Sequence, residues 1–162
     1  MSYIVPSTTQ IGHVHLKVSN LDKALEFYKD LLGFQITQRY GSSAVFLSAG
    51  GYHHHIGLNT WHSKNAPPAP DRFCGLYHTA ILYTERTELA IVLQRLIEAN
   101  YPLTGAADHG VSEAIYLNDP DGNGVELYWD KPKDDWTTDA DGNLNMVTEP
   151  LNVQSLLAEI AK

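Results

Sequence analysis

A single cysteine, Cys74, stands among 162 residues, so no internal disulfide can form and a reducing compartment, the cytoplasm, is the expected location. Positive charge is scarce as well. Eleven Lys and Arg against 19 Asp and Glu leave a formal net charge of −8. That balance offers no electrostatic footprint for nucleic acid or an anionic membrane, and neither is expected as a partner. No apolar run approaches the ~18 residues of a membrane span. The opening MSYIVPSTTQ has no charged segment followed by an apolar stretch, so no signal peptide is expected. What remains is room for one ordinary domain or two very small ones, with 43% hydrophobic residues to build a core.

Histidine is the residue in excess. There are eight, three of them consecutive at His53, His54 and His55 inside an apolar stretch rather than at a terminus. They fall within a repeated pattern. After an N-terminal extension (1–10), IGHVHLKV (11–18) alternates as a half-buried strand. Ser19 and Asn20 are good N-caps, and LDKALEFYKDLL has helical apolar spacing up to the stop at Gly33. Strands are expected over 34–40, 43–50 and 53–61. A linker, 62–74, carries three prolines within residues 67–70 and is expected to be extended.

The order then recurs. GLYHTAILY (75–83) reads as a strand, followed by a helix with Leu89, Val92, Leu93, Leu96 and Ile97 on one face. PLTGAADHG reads as a strand running into a loop, and VSEAIYLN (111–118) and VELYWD (125–130) as strands either side of the turn DPDGNG. Two modules, 11–61 and 75–130, thus share the order strand, helix, strand, strand, strand. Neither easily buries its own sheet face. The expected fold class is α+β: two paired βαβββ modules forming an open, incomplete barrel around a metal site. A tail, 131–162, adds a short helix with Leu151, Leu156, Leu157 and Ile160, free to pack on its own domain or against a second copy. DADGN (139–143) reads as an Asp-Gly turn rather than a calcium loop.

The repeat brings out three candidate metal ligands. His13 and His78 occupy equivalent first strands, 65 residues apart. Glu126 lies in the otherwise apolar and aromatic GVELYW, where an unpaired buried carboxylate is expensive. Its rough counterpart in the first module is the His53–His55 segment. Two imidazoles and one carboxylate with open positions form the facial triad of non-haem Fe(II) sites, although Mn(II), Ni(II) and Zn(II) accept the same donors. His15, on the His13 side of the same strand, is a rival ligand. Phe46, Leu58, Trp61, Phe73 and Trp129 are candidate apolar walls.

With its paired modules and the stretches IGHVHLKVSNLDKALEFYKDLLGF and DPDGNGVELY, the chain resembles the vicinal-oxygen-chelate superfamily over residues 9–130. That group contains glyoxalase I, fosfomycin-resistance thiol transferases, bleomycin-binding proteins and extradiol ring-cleavage dioxygenases. Three further residues are similar to the extradiol members, in particular to the N-terminal half of catechol 2,3-dioxygenases. The resemblance implies that His54 lies near bound oxygen, with His53 and His55 as close rivals. It implies that His109, in ADHG, contacts substrate. Tyr116, ten residues before Glu126, is implied as a second substrate contact. Ala107 departs from the family pattern.

The implied activity is Fe(II)-dependent cleavage of a catechol-type ring by O₂. His13, His78 and Glu126 would hold the metal; His54, His109 and Tyr116 would be catalytic, the last two also binding the small aromatic diol. Many extradiol enzymes carry four modules where this chain has two, so a homodimer is expected. A metal-binding relic without turnover stays open. So do a glyoxalase- or thiol-transferase-like metalloenzyme with a fourth ligand on the 53–61 segment, and a metal-free dimer that sequesters an aromatic drug.

Overall fold

A computed structural model describes residues 2–70 and 72–161. The chain is mixed α+β and divides into two compact units, Met1–Ala66 and Pro67–Lys162. Their sheets have four and five strands, and neither closes into a barrel. Among the described residues no helix is long and apolar enough to cross a membrane.

In the first unit β1 (Val14–Lys17) leads into α1 (Leu21–Leu25). The Asn20 side chain caps this helix by accepting from the amides of Asp22 and Lys23, at 2.8 and 3.1 Å. The helix runs on as a wider π-turn over Glu26–Leu31. That widening seats two neighbouring rings, Phe27 and Tyr28, in the interior together, their centroids 4.8 Å apart. Gly33, at φ 90°, ends the segment. Then come β2 (Gln35–Tyr40), β3 (Ala44–Ser48) and β4 (Ile56–Asn59), in the sheet order β1-β4-β3-β2. Leu16, Val45, Leu47, Ile56 and Leu58 meet the helical layer from this sheet and form the core.

The second unit repeats the plan. It has β5 (Thr79–Tyr83), α2 (Arg86–Glu98), β6 (Leu103–Asp108), β7 (Ser112–Asn118) and β8 (Gly124–Asp130). Glu85 and Glu88 close a capping box at the start of α2. Even the irregularities recur: β2 slips register against β3 between Ile36 and Gln38, and β6 slips against β7 between Leu103 and Gly105. The buried turn residue Asp119 accepts from the amides of Asp121 and Asn123, tightening the β7–β8 hairpin. Asp139 makes the same contacts to Asp141 and Asn143, so DADGN is an Asp-Gly turn.

Several expectations are corrected. Residues 53–55 precede β4 instead of belonging to it, and the first strands begin just after His13 and His78. Ile97 is 48% exposed, so the buried stripe of α2 is Leu89, Val92, Leu93 and Leu96, with Ala90. Leu58 is fully buried in the core and lines no site wall. The tail is less irregular than its composition suggests. Glu149–Pro150 forms an edge strand, β9, against β6, where a proline is tolerated. The short helix α3 (Val153–Leu157) packs on α2 through the fully buried Leu156.

Candidate active site

Strand register explains why the second unit gathers its polar side chains. Tyr116 on β7 lies directly opposite Glu126 on β8, and β8 pairs in parallel with β5, just after His78. The interval of ten residues between Tyr116 and Glu126 is therefore hairpin register: directly paired residues point to the same face. Gly124 sets the approach of His78. A Cβ there would stand 2.2 Å from the Tyr77 carbonyl oxygen and 3.2 Å from the His78 Cα.

These elements build a continuous chain of contacts. His78 Nε2 lies 2.9 Å from Glu126 Oε2, and the Tyr116 hydroxyl lies 3.1 Å from Glu126 Oε1. That hydroxyl is also 2.6 Å from His109 Nε2, and His109 Nδ1 is 2.8 Å from the Val147 carbonyl oxygen. His109 sits on the β6–β7 turn. The turn is held by Asp108, which accepts from the Gly110 amide at 2.8 Å and from Lys131 Nζ at 2.7 Å. Burial pushes the Asp108 carboxyl up, but Lys131 and the Gly110 amide outweigh it and hold the group below its ordinary range. Burial and the Glu126 carboxylate push the Tyr116 phenol up to about 12, which keeps it a proton donor at neutral pH.

Histidines and aromatic rings dominate the corresponding region of the first unit. The His13 ring packs against His54 at a 46° tilt with centroids 4.4 Å apart, and His54 lies edge-on to Phe46 at 5.0 Å. His55 turns away, its Nδ1 beside Ser48 Oγ and the Ala49 amide. His53 packs on Tyr52, with its Nδ1 2.7 Å from that of His54. His15 lies against Gly57, Phe46 and Trp61. Burial, with the neighbouring His13, His53, His15 and His55, holds the His54 pKa below its ordinary value. His54 is thus neutral at physiological pH and able to accept a proton.

The sequence expectation named six site residues. Four of them, His78, Glu126, Tyr116 and His109, are in mutual contact within the second unit. The other two, His13 and His54, are in contact within the first. Among the described residues no three His, Cys, Asp or Glu side chains gather to hold a metal ion. The His78–Glu126 pair nevertheless fits the donor chemistry of one. Two ligands about 2.1 Å from an ion and at right angles lie ~3.0 Å apart, close to the separation of these atoms. His78 Nδ1 is buried with no partner among the described residues. Two participants were not singled out from the sequence. The Val147 carbonyl contacts His109 through a main-chain atom, and Gly124 acts by having no side chain. Gly124 did leave a signal, as the last residue of the DPDGNG turn.

The sequence profile of the glyoxalase/bleomycin resistance protein/dioxygenase superfamily matches residues 10–127. The chain belongs to that superfamily. Within it, the chain is 40% identical over 152 residues to a catechol-2,3-dioxygenase of Bacillus subtilis (strain 168), covering 93% of this chain and 52% of the relative. It thus spans about half the length of that protein. A metallothiol transferase FosB of Shouchella clausii is 29% identical over 123 residues, covering 73% of this chain and 78% of the transferase. A lactoylglutathione lyase from Agrobacterium tumefaciens shares the superfamily fold, with a TM-score of 0.59 at 21% identity, over 76% of this chain and 96% of the lyase.

Proposed function

We propose that this chain is a metal-dependent extradiol ring-cleavage dioxygenase acting on a catechol-type diol with O₂. The observation that supports this most is the contact chain from His78 through Glu126 and Tyr116 to His109. An imidazole–carboxylate pair of metal-binding type has a phenol and a second imidazole beside it, as a substrate with two adjacent hydroxyls requires. The glyoxalase alternative calls for a fourth protein ligand on the 53–61 segment and has no use for a tyrosine–histidine pair beside the carboxylate. Forty per cent identity to a catechol-2,3-dioxygenase supports the same reading.

In this reading His78 and Glu126 are two metal ligands, and His13, from this chain or a second copy of it, is the third. Fe(II) bound there would lower the pKa of a coordinated phenol and let ring electrons reach O₂, chemistry that no side chain supplies. Tyr116 and His109 contact the substrate oxygens and fix the ring orientation, the Tyr116 O–H turning from His109 Nε2 to a substrate oxygen as the diol binds. His54, neutral and next to His13, takes the substrate proton and later returns it. In the balanced reaction the ring C–C bond beside the diol breaks and both atoms of O₂ enter the ring-opened product.

Oxygen uptake by the Fe(II)-loaded protein with catechol tests this. One O₂ consumed per catechol, with a yellow product, is expected. Iron binding without O₂ consumption would overturn the reading. Turnover of a hemithioacetal with Ni(II) or Zn(II) would replace it with the glyoxalase alternative, and tight binding of an aromatic drug by metal-free protein with the sequestering one.

A further inference from the structure

The C-terminal segment after the last strand of the repeat does more than cover an edge. Val147 and His109 bond each other twice. The Val147 amide donates to the His109 carbonyl at 3.1 Å, and the His109 ring meets the Val147 carbonyl through Nδ1 at 2.8 Å. The segment is fastened on both sides of this point. At Gly110 a Cβ would stand 3.1 Å from the Asn145 carbonyl, so the turn and the segment are in close contact. Beyond it, β9 pairs with β6, Leu156 is fully buried, and Arg86 bonds the Ser155 carbonyl at 3.3 Å and Glu159 at 2.5 Å.

A carbonyl oxygen only accepts, so His109 Nδ1 must carry a hydrogen. The rival donor, the Thr148 hydroxyl, is 3.5 Å from Nδ1 and would leave two lone pairs facing each other at 2.8 Å. In the neutral ring Nε2 is then bare and accepts the Tyr116 O–H at 2.6 Å. Tyr116 has one proton to give and two acceptors for it, His109 Nε2 at 2.6 Å and Glu126 Oε1 at 3.1 Å; the shorter contact takes it, and the carboxylate is left to His78 or a cation.

We infer that Val147 is a positioning residue: its carbonyl fixes His109 as the Nδ1–H tautomer and makes Nε2 the lone-pair nitrogen facing Tyr116. The tail thereby belongs to the site rather than to the scaffold alone. The catalytic meaning of this rests on the dioxygenase reading; the tautomer does not.

Imidazole nitrogen shifts of the ¹⁵N-labelled, metal-free full chain read the tautomer directly, with His109→Gln assigning the signals. His109 is expected as a single Nδ1–H species, opposite to the form a free imidazole prefers. Leu156→Ala, which unseats the tail helix, should replace that pattern with a mixture richer in Nε2–H, and Leu156→Met should restore it. Val147→Pro removes the clamping amide without touching the core, and should act like Leu156→Ala if that variant folds poorly. An Nε2–H wild-type ring, or an unchanged pattern in folded variants of both kinds, overturns the inference. Ring cleavage is a separate measurement: a fixed Nδ1–H tautomer in a chain that consumes no O₂ sinks the dioxygenase reading and leaves this one standing.

Discussion

The two sheets are built on one register, and they differ where the chemistry lies. In the second, the residue two beyond His78 is Ala80, which pairs with Glu126, and Glu126 pairs with Tyr116. In the first, the residue two beyond His13 is His15, which pairs with Gly57, and Gly57 pairs with Phe46. The counterpart of Glu126 is therefore Gly57, not the 53–55 histidine segment. The counterpart of Tyr116 is Phe46, the same ring without its hydroxyl. One sheet holds a carboxylate and a phenol beside the histidine that precedes its first strand; the other holds tilted and edge-on rings. A repeat thus need not duplicate a site. The first module keeps one imidazole at the matching position and turns the rest of that face into an aromatic wall.

The largest effect should come from breaking the imidazole–carboxylate pair that only the second sheet assembles. Glu126→Ala or His78→Ala should abolish stoichiometric retention of Fe(II) after gel filtration, and ring cleavage with it. Retention of iron by both variants would mean that the asymmetry between the sheets has no bearing on metal. Next come the neighbours that touch substrate in the proposed reaction. Tyr116→Phe, which gives the second sheet the side chain of the first, should keep its iron and lose about 10²–10⁴ in kcat. His54→Phe should do the same. An unchanged rate in both would remove the support for an extradiol mechanism.

Much of this was legible in the sequence, because periodicity and turn residues report local structure. The strand–helix–strand order stood out in both halves. The ten-residue interval from Tyr116 to Glu126 came from the family resemblance alone; its physical reason, hairpin register fixed by the tight turn D-P-D-G-N, is a finding of the structure. His53–His55 was misread because alternation alone does not say where a ladder starts. The backbone of His55 does continue the pairing, to Leu47 and Val14, yet the regular strand begins only at Ile56. The edge strand at Glu149–Pro150 and the Val147–His109 clamp were invisible for a different reason. They join main-chain atoms across 38 or more residues, and a carbonyl leaves no pattern in a sequence.

Glycine provides a finer contrast. Both sheets use one where the first-strand region passes close by, but against different neighbours. At Gly124 a Cβ would meet the Tyr77 carbonyl at 2.2 Å, which is backbone and cannot swing aside. At Gly57 it would meet the His15 ring at 2.9 Å, which can. Gly124→Ala should therefore displace His78, weaken iron binding and destabilise the fold by about 3 kcal/mol, the upper end for overpacking. Gly57→Ala should cost about 1 kcal/mol, and most of that cost should vanish in the His15→Ala background, because the three atoms nearest the added Cβ all belong to that ring. Urea denaturation of the four variants measures both. Equal losses at the two glycines, or no coupling to His15, would show that the register equivalence does not extend to packing.

The smallest effect concerns how the second unit holds the His109 turn by charge. Asp108 accepts from Lys131 and from the Gly110 amide, next to His109, and its carboxyl lies below the ordinary range. A carboxyl depressed in the folded state stabilises above its unfolded pKa, roughly 3.9. That stabilisation is lost as pH falls from there through the folded value, because the folded protein must then take up a proton it resists. The side chains of Lys131 and Asp108 are 22% and 30% exposed, so solvent screens the pair and the contribution is about 1 kcal/mol or less. Asp108→Asn should lower the melting temperature by a few degrees at pH 6–7. The gap should narrow as pH falls below about 3.9, where the stabilisation begins to be lost. A constant gap between the two melting curves from pH 7 to pH 3 would mean that Asp108 holds the His109 turn by shape rather than by charge.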